Sequence, residues 1–266
     1  MPRELRKFLE SRMVSIGILK DRWLPDPLFD DDIFIVSYPR SGNTWLRFLI
    51  ANLLFPNDIV DFQTISKYIP AGARVADRIW QAGESKSRPR YLKQHSLYHP
   101  KYPRVIYLVR DGRDVYISYY EFLRNSLAEQ SLVEFIGRED LPYGSWSQHI
   151  RSWMSAGLPP NRFLLIKYED MLANTDEILR RIAKFSGLYW SEDEVNLAIQ
   201  KSSFNNMREI EETKGFPKEN KFAGSFIRKG KSGTWHDVFG SKEKEVFKRF
   251  HNSALVSLGY ELDDTW

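Results

Sequence analysis

The chain of 266 residues contains no cysteine. Disulfides, thiolate nucleophiles and cysteine-ligated zinc are therefore excluded outright. Long apolar runs are also missing. The stretch from Met13 to Leu19 is interrupted by Ser15 and Gly17 and is too short to span a bilayer. No small-residue cleavage pattern follows it, so a cytoplasmic protein without a membrane partner is expected. There is no block of lysine and arginine, and the net charge is only +4. That excess fits a small anionic ligand better than a nucleic acid. The G-x-x-x-x-G-K-[ST] loop of nucleotide triphosphatases is absent, which counts against a kinase or ATPase. No internal repeat or low-complexity tract is present.

What is there describes one globular domain spanning 1–266, with 42% apolar and 28% charged residues, enough for a sizeable core. Its organising stretch runs from Asp32 to Ile50. Ile33 to Val36 is a short apolar, β-branched run and reads as a buried strand. Trp45, Leu46, Leu49, Leu53 and Leu54 fall on helical spacing. Between them lies the turn Pro39-Arg40-Ser41-Gly42-Asn43-Thr44. Proline fixes φ and Gly42 is free to take a positive φ. A turn of this kind before a helix N-terminus aims free N–H groups at an anion. Arg40 adds a charge, and Ser41 and Thr44 add hydroxyls. The stretch reads as a phosphate or sulfate cradle; the alternative is a plain strand–turn–helix connection with Arg40 solvated.

Three further strands are expected at Tyr91–Lys93, Arg104–Val109 and Phe163–Ile166, and helices at 3–20, 64–68, 73–82, 115–125, 145–156, 176–186, 192–200, 204–212 and 242–258. Met154 is placed on the buried face of the 145–156 helix, and the polar stretch 84–90 on the surface. Strands alternating with helices predict an α/β fold with a mostly parallel central sheet flanked by helices. Ligands then bind at the carboxyl ends of the strands. Arg40, His95, Arg110 and Tyr168 each follow a strand end, so one site is expected to gather them.

Arg110 through Ser118 brings two guanidinium groups and a hydroxyl to a strand–helix junction, suited to a second phosphate. Arg113 could equally pair with Asp111, Asp114 or Glu121. His95 follows a short strand, with Lys93 two residues earlier on the same side. A basic neighbour lowers its pKa and keeps it neutral, as a general base requires; His99 and His149 are the alternatives. Arg228-Lys229-Gly230-Lys231-Ser232-Gly233 is a basic loop able to form an anion nest or simply to lie on the surface.

Taken together and in this order, these segments resemble the sulfotransferases that use 3′-phosphoadenosine 5′-phosphosulfate (PAPS), of the cytosolic small-molecule type. Tyr38-Pro-Arg-Ser-Gly-Asn-Thr-Trp45 resembles that family's phosphosulfate loop and Lys93-Gln94-His95 its Lys-x-His. Arg110 to Ser118 resembles its 3′-phosphate motif, and Arg228-Lys229-Gly230-x-x-Gly-x-Trp235 its closing loop. Tyr168-Glu-Asp and Ser202-Ser203-Phe204-Asn-Asn-Met207 match more weakly. The resemblance implies His95 as base, assisted by Lys93 and Arg40. It implies a donor site of Arg40, Ser41, Gly42, Asn43, Thr44, Trp45, Arg110, Ser118, Tyr168, Ser203, Phe204, Arg228, Lys229 and Gly230. Trp45 and Phe204 would face across adenine. PAPS would be the co-substrate and 3′-phosphoadenosine 5′-phosphate (PAP) the product, with no metal and a small-molecule hydroxyl or amine as acceptor. The candidate acceptor wall comprises Tyr38, Tyr119, Tyr120 and Phe122. Two positions depart from the family pattern. Arg40 replaces a lysine, as in carbohydrate-type relatives, and Asn43 replaces a threonine. A carbohydrate-type enzyme and a P-loop phosphoryl transferase therefore remain alternatives. The family's dimer motif is missing after Trp235, so the oligomeric state is left open.

Overall fold

The computed structural model describes residues 24–81, 83, 89–127, 129–216, 226–227 and 230–266. The helix expected over 3–20 lies outside these residues, as do 84–88. In chain order the elements are β1 (Ile33–Ser37), α1 (Asn43–Leu54), α2 (Ile65–Tyr68), α3 (Ala73–Gln81), β2 (Tyr91–Gln94), β3 (Arg104–Val109) and α4 (Gly112–Leu123). They continue with α5 (Leu132–Ile136), α6 (Trp146–Met154), β4 (Phe163–Lys167), α7 (Tyr168–Ala173), α8 (Thr175–Ser186), α9 (Glu192–Lys201), α10 (Phe204–Lys214) and α11 (Ser241–Ser257). The four strands form one parallel sheet in the order β2-β1-β3-β4.

All five residues of β1 are buried, as befits a strand covered on both faces. Alternate side chains feed two apolar layers. Phe34, Val36, Val105 and Tyr107 pack with Trp146, Trp153 and Phe247. Ile33, Ile35, Ile106 and Leu108 pack with Leu46, Leu49, Leu179 and Ile182. Helix starts are chemically marked: Ser131, Ser145 and Ser191 each cap a helix in a reciprocal bond with Glu134, Gln148 or Glu194, satisfying donors that a helix end leaves open.

The register aligns the carboxyl ends of the strands. Val36 lies beside Gln94, Ser37 beside Leu108, and Val109 beside Lys167. The residues that follow these ends therefore gather along one edge. The outer edge of β2 is covered: the Lys93 N–H donates to the Pro70 carbonyl (2.8 Å) and the Gly72 N–H to the Lys93 carbonyl (3.1 Å). Two expectations are corrected. Met154 is 38% exposed, at the end of α6 beyond the packed turn. Arg90 is buried, not on the surface, because its guanidinium forms an ion pair with buried Asp32.

Candidate active site

The turn after β1 owes its shape to two residues in the left-handed region, Arg40 (φ 70°) and Gly42 (φ 93°). Gly42 is also the residue preceding α1. Any side chain there would collide with the Tyr168 ring, so glycine is required by conformation and by space. Asn43 sits just inside the helix, and its amide turns back to the strand, donating to the Ile35 carbonyl (3.2 Å) and the Ser37 hydroxyl (3.1 Å). This departure from the family pattern ties the start of α1 to the end of β1.

Ser37 in turn sets the histidine. His95 Nδ1 lies 2.6 Å from the Ser37 carbonyl oxygen. A carbonyl only accepts, so Nδ1 carries the proton and Nε2 keeps its lone pair. Burial, the Lys93 charge and the nearby His149 and Arg47 hold the imidazole well below its usual pKa, against the Ser37 bond. It is neutral at physiological pH. Helix α6 braces the His95 backbone. His149 Nε2 lies 3.2 Å from the His95 carbonyl, and one turn later the Trp153 Nε1–H donates to the Ser96 carbonyl (3.0 Å). His149 is itself buried and bonded to the Tyr107 hydroxyl (2.8 Å), so its role is support.

Lys93 is pushed down to about 7, first by burial and then by the charges of Arg47 and Arg40. The Arg40 Nε–H donates to the Ser118 hydroxyl (3.1 Å) and its NH2 group to the Phe226 carbonyl (3.3 Å). The Arg40 guanidinium lies against the Phe122 and Phe226 rings, at 4.9 and 4.4 Å. The Arg110 guanidinium lies over the Tyr168 ring at 4.6 Å and donates to the Arg40 and Lys231 carbonyls (3.3 and 2.9 Å). Its buried Nε has no hydrogen-bond partner. Trp45 donates to the Ser202 carbonyl (3.0 Å) and meets Tyr168 edge-on.

A cavity of about 380 Å³ brings these residues together. It is lined by Arg40, Gly42, Asn43, Thr44, Trp45, Lys93, His95, Arg110, Ser118, Tyr168, Phe204 and Gly230. Its remaining wall is largely apolar: Tyr119, Phe122, Tyr143, Leu172, Met207, Phe226 and Ile227. Among the described residues, the charged lining groups are Arg40, Lys93, Arg110 and Lys231, without a carboxylate. Two residues proposed from the sequence do not line it. Ser41 is fully buried, and its hydroxyl has no partner. Ser203 is spent on the start of α10, where it accepts from the Asn206 N–H. Arg228 and Lys229 lie outside the described residues. In the proposed acceptor wall, Tyr119 and Phe122 line the cavity. Tyr38 belongs to the core and donates to the Gly144 carbonyl. Tyr120 donates to the Gln130 carbonyl. Among the described residues, no group of three or more His, Asp or Glu side chains is placed to hold a metal ion. No helix among them is long and apolar enough to cross a membrane.

Sequence reasoning missed Asp114. Its carboxylate accepts from the Gly233 N–H (2.7 Å), the Thr234 hydroxyl (2.8 Å) and the Trp235 N–H (3.0 Å). It thereby fastens the glycine-containing loop to α4. Glu211 does the same for Ile227, accepting its N–H at 2.8 Å. The only sequence signal for Asp114 was its place in the Arg110–Ser118 segment, where it read as an ion-pair partner.

Comparison with known proteins agrees with this geometry. The sulfotransferase domain family model matches residues 30–259. Rat sulfotransferase 2A1 is 32% identical over 244 residues, covering 85% of each chain. A guinea-pig 3-beta-hydroxysteroid sulfotransferase is 28% identical over 251 residues, covering 85% of this chain and 84% of its own. Two solved structures share the fold. Retinol dehydratase in complex with androsterone and PAP has a TM-score of 0.68 at 21% identity, covering 86% of this chain and 82% of its own. A mouse sulfotransferase complexed with PAP has a TM-score of 0.64 at 23% identity, covering 90% and 89%. The protein therefore belongs to the sulfotransferase domain family.

Proposed function

We propose that the protein transfers the sulfonate of PAPS to a hydroxyl of a small-molecule acceptor, with His95 as general base. The observation that carries this reading is the one cavity that unites a neutral, oriented His95 with three cations from three strand ends, Arg40, Lys93 and Arg110. The residues present fit the nucleotide. Tyr168 and Phe204 are aromatic walls seated against Gly42 and Gly230, where any side chain would intrude, and Arg110 keeps an unsatisfied buried donor. Arg110, Ser118 and the loop around Gly230, with Arg228 and Lys229, would hold the 3′-phosphate. The Arg40–Thr44 turn would hold the phosphosulfate, and Trp45, Tyr168 and Phe204 the adenine. When bound, the donor supplies an electrophilic sulfonate on a phosphate leaving group.

The chain's own contribution is positional and electrostatic. His95 Nε2 takes the acceptor proton. Lys93, Arg40 and the α1 N–H groups face the side where negative charge grows, the arrangement in which preorganised donors are most effective. Holding the 3′-phosphate orients the donor and lowers the entropic cost of alignment. The described lining residues offer no carboxylate to hold a protonated amine, which favours a neutral hydroxyl. The aromatic and aliphatic wall favours an apolar acceptor, and a steroid alcohol is one candidate given the names of the relatives. A cytoplasmic location belongs to the same proposal and is checked by cell fractionation.

The test is a transfer assay with labelled donor against alcohols, phenols, sterols, sugars and amines, together with calorimetry of PAP against ATP with Mg²⁺. Tight PAP binding and labelled alcohol or sterol are expected. Transfer from ATP, or PAP binding without any labelled acceptor, would overturn the reading. Turnover should also stay level as pH falls through 6.5 and decline only well below it, since His95 is neutral until then.

A further inference from the structure

Among the described residues, Arg47 is the arginine near the site that the proposed mechanism leaves without a task. It lies on α1, two residues after Trp45, and is only 4% exposed. Its guanidinium makes no ion pair with a described carboxylate. Its NH2 group donates to the Ile69 carbonyl (2.5 Å) and, more weakly, to the Ser66 hydroxyl (3.4 Å). Its buried Nε has no partner at all. An isolated buried cation is costly unless something compensates it. Here the described residues supply only two neutral oxygens.

Its neighbours show where the charge acts. Ile69 leads directly into Pro70, Ala71 and Gly72, the segment paired with Lys93 along the edge of β2. Arg47 thus holds the strip of backbone that holds Lys93. Its charge is also felt at both reactive groups. It lowers Lys93 more than Arg40 does, and it contributes to the lowering of His95. The groups facing Lys93 are Arg47 from α1 and Arg40 from the turn. Those facing His95 are Lys93, His149 from α6, Arg47 and the Ser37 carbonyl.

We infer that Arg47 is a positioning residue whose charge is kept without a counter-ion among the described residues so that the anionic donor supplies one, acting through Lys93 and the Pro70–Gly72 backbone. This rests on the donor assignment proposed above. Arg47 does not line the cavity, so it adds attraction for an anion from behind the wall. It also keeps part of the Lys93 population deprotonated near neutral pH in the free protein, making donor binding proton-linked.

Two variants separate charge from hydrogen bonding in the full chain. Arg47→Lys keeps the charge, and Arg47→Gln keeps a donor for the Ile69 carbonyl. PAP binding is measured by calorimetry from pH 6 to pH 9. At pH 6, where Lys93 is mostly protonated, Arg47→Gln should bind PAP roughly tenfold more weakly than wild type, equivalent to one pKa unit of lost interaction. Its loss of affinity with rising pH should also begin above the wild-type value near 7. Arg47→Lys should stay within about threefold of wild type with the same pH profile. The inference is overturned if Arg47→Gln matches wild type while Arg47→Lys loses binding, if both match wild type, or if neither folds, since each of these makes the residue structural. Wild type failing to bind PAP would instead overturn the donor assignment.

Discussion

Arg47 and Arg113 invite comparison because they are almost equally hidden, at 4% and 2% exposure, on helices that leave neighbouring strands. Arg113 is fully answered by the protein. Its Nε and NH2 groups bond Asp111 at 3.0 and 2.7 Å, its NH1 group bonds Glu261, and its guanidinium sits in the corner formed by the perpendicular rings of Trp235 and Trp266, at 3.7 and 4.4 Å. Arg47 receives a carbonyl and a distant hydroxyl. The difference separates an arginine that joins parts of the fold from one whose charge is left available. Arg113 closes the junction after β3 against the C-terminal segment, while unsatisfied polar atoms remain on Ser41, Asn43 and Arg47 after β1 and on Arg110 directly after β3. Buried polar groups without partners are rare in folded proteins; these four lie at or beside the proposed site, whereas Trp80 and Trp146, which also carry one each, do not line it. On this contrast, Arg113 serves the fold and Arg47 the place prepared for an anion.

The contrast can be broken in several ways. His95→Ala should cut turnover by on the order of 10²–10⁴-fold while leaving PAP affinity near normal; a wild-type rate in steady-state assays would remove His95 from the chemistry. Arg113→Ala should cost about 2–4 kcal/mol of stability in denaturant unfolding, since it strands Asp111 and part of Glu261. PAP affinity should change little by comparison, and the opposite pattern would make Arg113 a ligand residue. Gly42→Ala forces a side chain into a left-handed position against Tyr168. It should weaken PAP binding by roughly tenfold in calorimetry. The smallest effect is the pH dependence of binding. Protonated Lys93 attracts an anion and free Lys93 has a pKa of about 7. Affinity should therefore fall about fivefold between pH 7 and pH 8 as the proton is lost, and Lys93→Met should flatten that fall.

Much of this was legible before the structure. All four strands were expected, with boundaries shifted by at most one residue, because each is a short run of mostly apolar residues that ends in or is directly followed by a polar or basic residue. Most helices were expected too. Helices α5 and α7 were not, since five and six residues carry too little periodicity to register. The convergence of Arg40, His95, Arg110 and Tyr168 followed from the general rule for parallel sheets. Individual partners did not follow. The bonds from Asn43 to Ser37, from His149 to the His95 carbonyl and from Asp114 to the 233–235 loop close only in three dimensions or turn on a side-chain rotamer. Nothing local marked Phe226 as a neighbour of Arg40 either, because 186 residues separate them.

Sequence by itself determined the alternating fold, the location of an anion cradle after the first strand and the candidate base, because these rest on local periodicity, on backbone freedom at one glycine and on charge. Tertiary structure alone decided the strand order, which serines and tyrosines are consumed by capping and core packing, and which buried arginine is neutralised. Those outcomes depend on desolvation and on partners distant in the chain, and neither is encoded in any short stretch of residues.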